Sequence, residues 1–105
     1  MKRKNFLVCK NIKYYSDLER EVFFEFIKKI KSIVEFETKD NTLYLYFKSK
    51  RIPDKDLRAL IGLFDRFRIN MTQLQFFLNE RNKKWFRNGD GYWVKPIFGS
   101  YKREN

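Results

Sequence analysis

The chain has 105 residues, 43% of them hydrophobic and 19% aromatic, with a formal net charge of +11. That apolar share can bury the core of one small domain spanning residues 1–105, which argues against a disordered or multidomain chain. One cysteine and no histidine exclude an internal disulfide and a multi-cysteine zinc site, and they remove the commonest general base and the commonest soft-metal ligand.

The basic start Met1-Lys2-Arg3-Lys4-Asn5 is followed by only four apolar residues, Phe6 to Cys9, too few for the core of a secretory signal. No stretch reaches the length of a bilayer span, and a lone cysteine suits a reducing compartment. The expectation is a cytoplasmic protein with no membrane partner. Asn5 to Lys10 reads as a short strand, Phe6 and Val8 alternating with Leu7 and Cys9. Ser16-Asp17-Leu18-Glu19 is a capping box, hydroxyl and carboxylate each able to satisfy a backbone N–H at a helix start. Leu18, Val22, Phe23, Phe26, Ile27 and Ile30 then recur at helical spacing and predict one buried stripe. Glu25 and Lys29 form an i,i+4 pair on its solvent side.

Ile33 to Lys39 and Thr42 to Lys48 both alternate, and only Asp40-Asn41 separates them. Two residues that tolerate positive φ suit a tight primed hairpin turn. That turn sets Thr38 opposite Leu43, Phe36 opposite Leu45 and Val34 opposite Phe47, so the apolar residues share one face. The other face carries Glu35 and Glu37 against Tyr46 and Tyr44. Pro53 with Asp54 and Asp56 opens a second helix, whose stripe is Leu57, Leu60, Ile61, Phe64 and Phe67. Asn70 or Thr72 can cap a third helix, with Leu74, Phe77, Leu78, Arg81 and Trp85 on one face. From Trp85 onward the chain is aromatic and irregular, with a turn at Asn88-Gly89-Asp90-Gly91. The order β-α-β-β-α-α predicts an α+β fold, a two-layer sandwich whose three-stranded sheet has helices on one face. Strand order is left open.

No catalytic constellation emerges. Glu35 and Glu37 sit at strand spacing on the outer sheet face, and Asp54 and Asp56 have a sufficient reason as helix N-terminal acids. Cys9 lies in a strand with no histidine to activate it. The serines lack a nucleophile elbow, and Gly89-Asp90-Gly91 lacks a Walker lysine. The expectation is a non-enzyme with no cofactor and no metal. Two binding readings remain. Tyr44 and Tyr46 beside Glu35 and Glu37 suit a protein interface, where tyrosine is a favoured anchor. Alternatively Arg66, Arg68, Arg81, Lys83, Lys84 and Arg87, interleaved with Trp85 and Phe86, suit nucleic acid, cations meeting phosphates and rings stacking on bases. Nothing matches an RRM signature, a KH loop or a cold-shock motif.

The run Ile52-Pro53-Asp54-x-Asp56-Leu57-Arg58-x-Leu60-Ile61-x-Leu63-Phe64, then Ile69-x-Met71-x-Gln73-Leu74, Phe77-Leu78-Asn79, Asn82, Trp85-Phe86, Tyr92-Trp93 and Phe98-Gly99 resembles small bacterial immunity proteins. Those are encoded beside polymorphic or contact-dependent-inhibition toxins. The resemblance covers about half the chain and rests on packing and capping residues. It implies a non-enzymatic cytosolic protein that binds and neutralises one cognate toxin domain, often a nuclease. Binding residues vary between members, so no site carries over. Immunity proteins against basic nucleases are usually acidic, because opposite potentials speed association. At +11, this chain would need an acidic toxin surface, or a local acidic patch such as the first helix with Glu35 and Glu37.

Overall fold

A computed structural model describes residues 5–99, and its elements run β1 (Phe6–Lys10), α1 (Asp17–Lys29), β2 (Ile33–Lys39), β3 (Thr42–Phe47), α2 (Asp54–Arg66), a 3-10 helix (Thr72–Phe77), α3 (Lys83–Phe86) and α4 (Val94–Phe98). Asp40 and Asn41 hold positive φ of 52° and 62°, the primed turn whose twist matches the strands it joins. The hairpin register follows: Thr38 pairs with Leu43, Glu37 with Tyr44, Phe36 with Leu45 and Glu35 with Tyr46. Beyond Glu35 the alternation breaks. A bulge sets Ile33 opposite Phe47 and leaves Val34 outside the ladder and exposed, so Val34 does not face Phe47.

β1 pairs antiparallel with the far side of β3, giving the order β1-β3-β2. The β1-α1-β2 unit is therefore not an adjacent parallel pair. The two sheet edges differ. The Gln73 amide closes the β1 edge, accepting from the Val8 N–H at 2.8 Å and donating to the Val8 carbonyl at 2.7 Å, as a neighbouring strand would. Leu7, Cys9, Leu43, Leu45 and Phe47 point to the inner face and are buried, each exposing 4% or less.

Helices cover that face as a second layer. Ser16 caps α1, its Oγ accepting from the Glu19 N–H at 3.1 Å, while the Glu19 carboxylate reaches back to the Tyr15 N–H. α1 and α2 run antiparallel. Asp56 of the first α2 turn bonds Ser32 just past α1, and Phe67 at the other end of α2 meets Phe23 with ring centroids 4.8 Å apart. Only part of the expected α1 stripe is buried. Phe23, Ile27 and Ile30 enter the core, whereas Leu18, Val22 and Phe26 stay exposed. Glu25 bridges to Lys28 at 3.6 Å, one residue short of the expected Lys29.

The third helix forms as separate pieces. Asn79 Oδ1 accepts from the N–H groups of Arg81 and Asn82, and buried Asn82 accepts from the Asn79 N–H and donates to the Phe77 carbonyl. Asparagine side chains thus take the backbone bonds a continuous helix would have used. The chain turns back on itself, and Gln75 ties the 3-10 helix to the Ile97 carbonyl at 2.7 Å. Trp93 donates to the Phe86 carbonyl at 2.8 Å. A Cβ at Gly91 would come within 2.3 Å of the Trp93 ring, so only glycine fits beneath it.

Candidate functional site

The face of the sheet turned away from the helices carries an aromatic cluster. Because β1 and β2 both flank β3, this face gathers Phe6 from β1, Tyr44 and Tyr46 from β3, and Glu35 and Glu37 from β2. The two tyrosine rings stack with centroids 6.5 Å apart and an interplanar angle of 16°, and Phe6 lies 6.0 Å from each. The Tyr46 hydroxyl donates to the Glu37 carboxylate at 3.2 Å. Phe6 is 41% exposed and both tyrosines are half-buried. Three rings held by cross-strand neighbours lose little freedom on binding, and the carboxylates offer charge at the rim. The structure therefore brings Glu35, Glu37, Tyr44 and Tyr46 together.

Phe6 is the member of this cluster that sequence reasoning missed. Its alternation with Leu7 was visible, but alternation alone does not say which of the two residues faces out. That depended on pairing with β3.

The basic candidates do not form one surface. Arg66 ends α2 and Arg68 lies just beyond it, whereas Arg81 lines a polar cleft of about 420 Å³ with Pro53 and Asp54 at the start of α2. A helix of 13 residues separates those ends by about 20 Å. Lys83 is paired with Glu80 at 2.9 Å, and the Arg87 guanidinium sits 5.2 Å over the Phe98 ring. Lys84 is exposed. Trp85 is not a free stacking platform: Arg58 lies 3.9 Å over it, and Trp93 and Phe86 pack on its other sides.

Cys9 is fully buried, and burial pushes its thiol up to about 12, far from nucleophilic use near neutral pH. Among the described residues no group of three His, Cys, Asp or Glu side chains could hold a metal ion, and no helix is long and apolar enough to cross a membrane. Asp56 is buried and accepts two bonds from Ser32. A recess of about 480 Å³ runs between α1 and β2 over Phe24 and Phe36 and is lined by Arg20, Glu21, Glu25 and Lys28. No protein-family model, curated protein or solved structure matches the chain.

Proposed function

We propose that this chain is a non-catalytic, cytoplasmic binding protein that neutralises a cognate bacterial toxin domain, with the Phe6/Tyr44/Tyr46 sheet face as its contact surface. The observation that carries this reading is the cross-strand ring cluster of Phe6, Tyr44 and Tyr46 flanked by Glu35 and Glu37. The resemblance of the C-terminal half to immunity proteins supports the class of partner. Charge supports the location. Seven of the 13 acids lie between Asp17 and Asp40, against five of the 24 bases, so the α1–β2 flank is locally acidic in a chain of net charge +11. Such a flank favours a partner with a basic surface, as many nucleases present to their substrates.

The test starts from the tagged chain captured from its native lysate with and without nuclease. A stoichiometric protein partner that survives nuclease and moderate salt is then titrated against variants and assayed for toxicity with and without this chain. Replacing Tyr44 and Tyr46 together by Ala is expected to weaken binding by several kcal/mol, about a hundredfold or more, if the rings are anchors. Unchanged affinity removes the sheet face, and a partner that is not toxic on its own removes the immunity reading. Capture of heterogeneous RNA or DNA that salt or nuclease releases would assign the positive charge to nucleic-acid binding instead.

A further inference from the structure

Gln73 closes one edge of the sheet, along β1, and β2 forms the other edge in the order β1-β3-β2. Every residue of β2 is exposed or half-buried. The Asp40-Asn41 turn fixes which of its backbone groups point away from β3. Lys39 and Thr42 flank a two-residue turn and so exchange ladder bonds, and the alternation repeats at Glu37 with Tyr44. The bond from the Phe47 N–H to the Asn5 carbonyl agrees, because it directs the N–H groups of Leu43, Leu45 and Phe47 towards β1 and those between them towards β2. Phe36 and Thr38 therefore turn N–H and C=O outward, and among the described residues no hydrogen bond closes these groups. A bulge at Val34 and the charge of Lys39 bound this stretch, but between them the ladder is regular.

Open backbone groups in a row select an extended strand, and the surrounding side chains select its chemistry. Phe36 and Thr38 line the recess beside α1, where the Phe36 and Phe24 rings lie 5.6 Å apart. A strand laid along β2 sets every second side chain over these rings and the others beside Glu37 on the opposite face. Glu21 and Glu25 also line the recess. Of the bases there, Arg20 sits 5.1 Å over the Phe24 ring and Lys28 is paired with Glu25 at 3.6 Å. The edge thus runs through the acidic flank that favours a basic partner. The β2 strand of a second copy brings the same glutamates and lacks that complement.

We infer that the β2 edge takes up a short, basic, extended segment of the protein partner as an added strand, bonded to the backbone of Phe36 and Thr38. For the identity of that partner the inference rests on the toxin-contact reading. It is continuous with that surface, since Glu37 accepts from the Tyr46 hydroxyl at 3.2 Å and stands between the rings and the edge. A segment of about five residues fills the regular stretch. Its apolar side chains cover Phe24 and Phe36, and its lysines or arginines lie beside Glu37.

Amide hydrogen exchange of the full chain tests this, with the probe peptide acetyl-Lys-Val-Lys-Val-Lys-Val-Lys-amide. In the free chain the Phe36 and Thr38 N–H groups should exchange fast and that of Glu37 slowly. The peptide should slow Phe36 and Thr38, whereas its Glu-Val counterpart, or a Lys-Val peptide N-methylated along one edge, should not. Thr38→Pro removes an outward donor and spares the ladder to β3, and it should weaken peptide binding about tenfold or more. Slow exchange of Phe36 and Thr38 in the dilute free chain overturns the proposal, because the edge is then already closed. Protection that grows with the chain's own concentration overturns it too, since a second copy then occupies the edge. No protection by the Lys-Val peptide at millimolar concentration, or equal protection by the N-methylated or Glu-Val peptide, has the same consequence. The double Tyr44→Ala, Tyr46→Ala variant should keep the peptide's protection, so failure of the tyrosine reading leaves the edge standing. Conversely, a captured toxin that needs the tyrosines but binds Thr38→Pro normally removes the edge alone.

Discussion

Cys9 and Arg68 show how much a single position can carry here. Cys9 lies on the inner sheet face in the edge strand β1, where burial holds its thiol protonated to about 12, against an ordinary value of 9.0. Between those values the unfolded chain has lost a proton that the native chain retains. Stability therefore falls as pH rises, by up to about 1.4 kcal/mol per pH unit. The Tyr14 hydroxyl, also raised by burial, acts in the same direction. Urea unfolding from pH 8 to 11 is expected to show this alkaline loss, and Cys9→Ala should flatten it while costing about 1–2 kcal/mol at neutral pH. An equally steep slope in Cys9→Ala would place the proton elsewhere. Arg68 holds φ of 57° just after α2. There the Ile69 N–H bonds the Phe64 carbonyl and the Arg68 N–H bonds Asp65, the Schellman pattern that usually places glycine at this position. Arg68→Gly is expected to stabilise the fold by about 0.5–1 kcal/mol in thermal unfolding; a loss would mean that the arginine side chain contributes more than its backbone strain costs.

The elements are held to one another by a few buried polar links. Asp56, 5% exposed, accepts from the Ser32 N–H at 3.0 Å and from its hydroxyl at 2.6 Å. This ties the first turn of α2 to the α1–β2 connection. Asp56→Ala leaves both donors without their acceptor, at an expected cost of about 2–3 kcal/mol, whereas Ser32→Ala removes one bond and should cost about 1 kcal/mol. Because the two residues share these bonds, the double variant should cost less than the sum. Denaturant midpoints decide it: costs that simply add in the double variant would assign the Asp56 loss to its place at the α2 N-terminus rather than to the link. Gln73 does for the β1 edge what Asp56 does for the helix pair. Both are polar side chains that replace a missing backbone partner.

At the scale of the whole molecule, two layers leave two different outer surfaces. The sheet side presents stacked rings with carboxylates at their rim, and the helix side presents the exposed Leu18, Val22 and Phe26 of α1. Among the described residues, Arg66 and Arg68 lie at one end of α2 and Arg81 at the other. That separation keeps the basic residues weighed for nucleic acid from forming one surface.

Several features were legible from local sequence because their causes are local. A capping box needs only Ser16 and Glu19, a primed turn only Asp40 and Asn41, and the α2 stripe only its own spacing; each lies within one turn or one hairpin of chain. The Tyr44, Tyr46, Glu35 and Glu37 grouping followed from the same hairpin. What tertiary structure decided depended on residues far apart in the chain. Pairing β1 with β3 joins segments more than 30 residues apart, and it alone turned Phe6 outward onto the tyrosines. Which half of the α1 apolar residues would be buried depended on the width of the sheet and on where α2 lay, since a helix can bury only the arc its neighbours reach. The predicted third helix gave way to asparagine side chains that could bond the backbone only once the chain had folded back beside Phe77. Periodicity records which residues avoid water, but the number of neighbours that a small three-stranded sheet can supply determines how many of them succeed.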